Sequence, residues 1–203
     1  IDPDYAAAIT NLGNVLMDKG QHDDALAHHR RAIEAAPDHA EAHHNLSLAL
    51  LLQGKLEEGW AEYEWRLRSE KGARHRPFPQ APWAGQPVDA KTVLVWGEQG
   101  VGDEVMFAGM VPDLVEAGAH VVLESDPRLV PLFERSFAGI ECIVKEDPPT
   151  AETRRDGIDF QSPGGNLGRW LRPNLESFPG RQSYLVAEED RQGRLRENYL
   201  SDG

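Results

Sequence analysis

Val93-Leu94-Val95-Trp96-Gly97-Glu98-Gln99-Gly100-Val101-Gly102-Asp103-Glu104 is an apolar run that breaks into a glycine-rich turn and reopens with two acids. Four apolar residues ahead of a glycine cluster read as a buried strand, and Asp103-Glu104 before Val105-Met106-Phe107-Ala108 reads as the first turn of a helix. In open α/β sheets ligands bind beyond the carboxyl ends of such strands, so this turn marks a site. Downstream, the pattern predicts a helix over 103–117, bent near Val111 by Pro112. It continues with a strand at 119–124, a helix at 127–137 and a strand at 140–144. Weaker signals place strands at 158–160 and 184–186, a short helix at 167–171 and a charged helix at 187–200. The alternation predicts a Rossmann-like, doubly wound parallel sheet over residues 91–203.

The first 72 residues are built differently. Shifting the chain by 34 positions aligns Pro3 with Pro37, Asn11 with Asn45, Leu12 with Leu46, Gly20 with Gly54 and Ala32 with Arg66. Two helices per unit, joined at a glycine and closed by a proline, resemble the tetratricopeptide repeat, an α-solenoid. The first unit runs from about Ala6 to His39 and keeps Leu12, Gly13, Leu16, Gly20, Ala25, Ala32 and Pro37. It has Ile9 where the family has tryptophan, and His29 where it has an aromatic residue. The second unit, 40–68, keeps Leu46, Leu50, Gly54 and Tyr63, but carries Ser47, Gly59 and Arg66 at positions meant for small residues. Ile1-Asp2-Pro3 reads as the tail of another repeat, and the natural protein is expected to extend toward the N-terminus.

Between the two parts, Trp60, Tyr63 and Leu67 recur at helical steps and form a stripe that should dock on something. A polar stretch from Ser69 to Arg76 ends that helix. Pro77, Pro79, Pro82 and Pro87 then hold an extended arm over 73–90, with Phe78 and Trp83 as its anchors.

Together, Gly-Trp-x-Glu-Tyr-Glu-Trp-Arg, the Pro-x-Trp-x-Gly arm and the turn at 93–104 are similar to bacterial proteins in which tetratricopeptide repeats precede a GT-B glycosyltransferase domain. That domain is related to heptosyltransferases and to O-linked N-acetylglucosamine transferases. The resemblance runs from about Asn11 to Leu185. It implies a half of a GT-B fold, with Asp103 as the base that takes the acceptor proton. Glu98, Gln99 and Glu104 would orient sugar or acceptor, and Gly100 and Gly102 would give the substrates clearance. It also implies that Asn11 and Asn45, which recur at one position of the repeat, hold a polypeptide acceptor or partner protein in the repeat groove. No cofactor is expected in this chain; a nucleotide-sugar donor is expected of the full-length enzyme.

Two other chemistries use glycine-rich turns. A P-loop needs Lys and Ser/Thr after its last glycine, where this chain has Asp103 and Glu104. A dinucleotide site needs a third glycine where Val105 stands, although Glu124 lies at the spacing of a ribose-binding acid. A non-catalytic interaction scaffold is the remaining alternative, and in it Asp103 and Glu104 serve only the helix dipole.

The formal net charge of −13 disfavours nucleic acid and anionic membranes as partners. The single cysteine, Cys142, excludes an internal disulfide framework, and no apolar run reaches the length of a membrane span. A cytoplasmic protein is expected. The histidines near 28–44 lack a carboxylate or thiolate partner in the pattern, so no metal site is read there.

Overall fold

The computed structural model describes residues 5–69, 76–180 and 183–200. The repeat tail expected at 1–3 and most of the polar stretch after Ser69 lie outside them. Four antiparallel helices open the chain: α1 (Ala6–Asp18), α2 (His22–Ala35), α3 (Ala40–Leu52) and α4 (Leu56–Tyr63), the last running into a 3-10 turn at Glu64–Leu67. Gly20 and Gly54 end α1 and α3 at a φ of 73°, the left-handed conformation that glycine adopts without a Cβ penalty. The 34-residue period is thus a structural repeat.

Within the first unit Ala25, Leu26 and Ala32 are buried, with Leu26 against Leu46, Ala49 and Leu50, and Ala32 against Ala42. His29 also has no exposed surface, and its ring fills the space where a Cβ on Gly13 would lie, 2.5 Å away. Gly13 is therefore the small residue that admits the larger one.

The second part is a five-stranded parallel sheet in the order β1-β5-β2-β3-β4. Its strands are β1 (Ala81–Pro82), β2 (Thr92–Trp96), β3 (His120–Ser125), β4 (Glu141–Val144) and β5 (Phe160–Pro163). Side chains alternate between its two faces, as the pleat demands. Val93, Val95, Val121 and Leu123 meet the helices α5 (Val101–Ala108), α6 (Val111–Glu116), α7 (Val130–Ser136) and α8 (Leu167–Leu171) through Phe107, Val111, Leu114, Phe133 and Leu167. Leu94, Trp96, Val122 and Ile143 face the other way, toward Phe78 of the arm and Leu67. On that face the crossover from β4 to β5 contains only a 3-10 turn at Glu152–Arg154, tied to the arm by Gln80 Nε2 donating to the Thr153 carbonyl.

Three local expectations are corrected. The helix expected at 103–117 is two helices parted at Gly109-Met110, and Pro112 lies in the first turn of α6, where its missing N–H has no helical partner to lose. The strand expected at 158–160 sits further on as β5, a run with polar Gln161 and Ser162 that apolar periodicity does not reveal. Residues 184–186 form no strand; Tyr184 donates its hydroxyl to the Val105 carbonyl, and Arg135 donates to the Val186 carbonyl. The charged helix begins at Glu189, as α9 (Glu189–Leu200). No helix among the described residues is long and apolar enough to cross a membrane.

Candidate functional site

The strand order reverses at β2, with β3 on one side and β5 on the other, which opens a crevice beyond the carboxyl ends of β2 and β5. The turn at residues 97–100 leads from the end of β2 at that crevice into α5. Gln99 takes a positive φ of 55°, uncommon for a residue with a Cβ, so the turn is strained at its tip.

Asp103 sits in the first turn of α5, half-buried, and its Oδ2 accepts the Gly100 N–H at 3.0 Å. One of the helix's orphan donors is thereby satisfied. Gly100 and Gly102 are both glycines without positive φ. A Cβ on Gly100 would touch only Asp103, and one on Gly102 would meet nothing within 4 Å. The fold makes no use of the missing side chain at 102, and Gly102 is exposed.

Glu98 and Glu104 face inward. Glu98 is 3% exposed, and its carboxylate accepts from Arg66 Nε at 2.8 Å, from Arg66 Nη2 at 2.5 Å and from the Gly165 N–H at 2.7 Å. Glu104 accepts from the Asp126 N–H at 2.8 Å and from Lys145 Nζ at 2.9 Å, and it packs where a side chain on Gly97 would clash. Both glutamates thus have protein partners, because a buried carboxylate without donors would be prohibitively unstable. A third acid, Glu124, is fully buried against the Arg76 guanidinium. Burial pushes the Glu124 carboxyl above the usual range, against the pull of Arg76. Held in that way it is closed to a ribose, which removes the feature that favoured a dinucleotide site.

Sequence reasoning overlooked Arg66. It stands at the repeat's small-residue position and reads as drift, yet the side chain has no exposed surface, lies 4.2 Å over the Tyr63 ring and crosses into the sheet to meet Glu98. The signal was there in a buried basic residue at a position that the first unit fills with Ala32.

Tyr63 carries the connection onward, its hydroxyl donating to Gln99 Oε1 at 3.3 Å. Burial raises the Tyr63 hydroxyl above its ordinary range, opposed by Arg66 and assisted by Glu98 and Asp103. His44 of α3 tilts against Tyr63 with ring centroids 5.7 Å apart, and burial followed by Arg66 lowers its pKa. Asn45 follows His44 in α3, half-buried, with its Nδ2 enclosed and without a partner among the described residues. Asn11 is exposed on α1. A path of side chains therefore runs from α3 through Tyr63 to the strained turn.

Comparison with known proteins bears on the helical part most directly. The family model of the tetratricopeptide repeat matches residues 4–58. Over those residues the chain is a helical region like tetratricopeptide repeats. The repeat chain is also similar to Protein FlbA of Caulobacter vibrioides, 33% identical over 206 residues, covering 93% of this chain and 34% of that relative. It thus spans about a third of FlbA's length. Uncharacterized protein y4yS of Sinorhizobium fredii is 36% identical over 58 residues, 29% of this chain and 32% of its own length. Among solved structures, a Thermobaculum terrenum O-GlcNAc transferase mutant matches 79% of this chain and 39% of its own at 23% identity, with a TM-score of 0.32.

Proposed function

We propose that this repeat protein supplies the acceptor-binding portion of a glycosyltransferase that moves a sugar from a nucleotide-sugar to a polypeptide or glycan. The observation that carries the reading is the half-buried carboxylate of Asp103, in the first turn of α5 just beyond the carboxyl end of β2 and next to the exposed Gly102. In the reaction, an acceptor hydroxyl oxygen bonds to the anomeric carbon as the bond from that carbon to the donor phosphate breaks. The hydroxyl proton passes to Asp103, acting as general base. Gln99, Gly100 and Gly102 line the approach to Asp103. Glu98 and Glu104, each held by protein donors, shape the turn from behind.

Asn11 offers its exposed amide to a polypeptide along the repeats and Asn45 the part of its side chain that is not enclosed, and the line from His44 through Tyr63 to Gln99 leads from α3 toward Asp103. The nucleotide of the donor carries phosphates, which the Asp103 carboxylate, the acid of this turn not paired with a cation in the contacts above, disfavours, so this portion serves the acceptor.

Transfer of sugar to a polypeptide by the full-length protein tests the proposal. Asp103→Asn is expected to lower kcat by about 10²- to 10⁴-fold, the usual contribution of a general base. Full activity in that variant sinks the assignment. A second reading, a scaffold without catalysis, is favoured by the bond from the Gly100 N–H to Asp103, which gives the acid a structural task. Absence of any transfer by the full-length protein, with partner binding retained, would select it.

A further inference from the structure

A cavity of about 260 Å³ lies between α4, the break that parts α5 from α6, and the segment at Phe178-Pro179. Trp60, Met106, Met110, Phe178, Tyr184 and Arg172 line it. Three side-chain donors on its walls are already engaged. Trp60 Nε1 donates to the Arg172 carbonyl at 2.9 Å, and the Tyr184 hydroxyl to the Val105 carbonyl at 2.7 Å. The Arg172 guanidinium pairs with Asp113 at 2.5 Å. The indole, phenol and Nη1 donors are thus spent within the protein, and an entering polar group would give up its water for walls that are mainly apolar. The walls are instead thioethers and rings, the groups that favour an aromatic guest through sulfur–ring and edge-to-face contacts. The mouth is open, with Met106 57% and Phe178 49% exposed.

Met106 lies three residues after Asp103 on α5, about 4.5 Å along the helix axis. An extended peptide advances about 3.3 Å per residue, so one that offers a hydroxyl to Asp103 has neighbouring side chains in reach of this cavity. We propose that the cavity receives the aromatic side chain of a Phe, Tyr or Trp residue close in sequence to the acceptor residue. This rests on the reading of Asp103 as an acceptor site for the molecule that bears the ring; the chemistry of the cavity stands without it.

The chain contains three methionines, of which Met106 and Met110 line the cavity and Met17 lies in the repeats. Titrating the protein with N-acetyl-phenylalaninamide is expected to shift the Met106 and Met110 methyl resonances saturably and leave Met17 in place. N-acetyl-alaninamide is expected to shift none of them. Met106→Glu, at an exposed position, should weaken the ring's binding at least tenfold, read on Met110. Absence of a saturable shift, equal shifts with the alanine compound, or equal movement of Met17 overturns the proposal. If the ring binds while Asp103→Asn transfers sugar normally, the base assignment fails and the cavity stands. If transfer depends on Asp103 and no ring binds, only the cavity assignment fails.

Discussion

The two repeats share one plan and use it against different neighbours. In the first, Leu26, His29 and Ala32 are buried on α2, with Leu26 and Ala32 packed on α3. The same positions 34 residues on are Trp60, Tyr63 and Arg66, and they turn to the sheet. Trp60 covers Gly168 and donates to the Arg172 carbonyl, Tyr63 joins the sheet's core beside Phe107, and Arg66 pairs with Glu98. The sheet thus stands where the next repeat of an array would stack. Residues that look like decay of a consensus are adaptations to a new partner, larger and more polar because the surface they meet is a crevice edged with acids.

The contrast breaks most sharply at Arg66. Arg66→Ala leaves Glu98 buried beside no cation, and loss of one member of a buried pair is expected to lower stability by about 3–5 kcal/mol. Urea denaturation measures it. Arg66→Met combined with Glu98→Leu should recover most of the loss, since the pair is then replaced by apolar volume. A double variant as unstable as the single one would show that the charge pair is not what joins the two parts.

His29 separates the repeats by pH. Burial, with a smaller contribution from His28, lowers its pKa from 6.5 to about 4, and neither ring nitrogen has a partner among the described residues. The unfolded chain therefore takes up a proton at this residue near pH 6.5, and the folded chain does so only near pH 4. Its share of the stability is complete above about pH 6.5 and is lost as pH falls toward 4, by about 1–3 kcal/mol. Comparing urea midpoints at pH 7 and 4.5 for the natural protein and for His29→Leu isolates it. Equal pH slopes in the two proteins would remove the role given to this ring.

The smallest effect concerns Gly102. With open space at its Cβ and no positive φ, Gly102→Ala should raise stability by about 0.4–1 kcal/mol through a less flexible unfolded chain. The same variant should slow transfer if the opening serves a substrate. A raised Tm with unchanged transfer would assign the glycine no functional part.

Much of this was legible in the sequence because periodicity encodes it. The 34-residue shift located four helices, and the apolar run at 93–96 located β2 and the turn after it. α8 fell where its pattern put it. Partnership across the chain is not encoded in that way. The resemblance nominates Glu98 to orient sugar or acceptor, and no local pattern announces its protein partners, since Arg66 and Gly165 lie 32 and 67 residues away. Pro112 was read as a bend because a proline that starts a helix and one that breaks it differ only in where the preceding helix stops. Here that point is Gly109, packed near Tyr184 from the far end of the chain. The cavity beside Met106 was invisible for the same reason, since its walls come from three separated segments.

The arm's short strand has a consequence for how the molecule keeps to itself. β1 is the outermost strand on one side of the sheet, two residues long, and one of the two is Pro82. A foreign strand seeking to extend the sheet there meets a residue with no N–H to offer, followed by Trp83 turned inward and buried. The row of backbone groups along β5, which would otherwise be an invitation to polymerise, ends under a strip of chain too short and too poor in donors to template another.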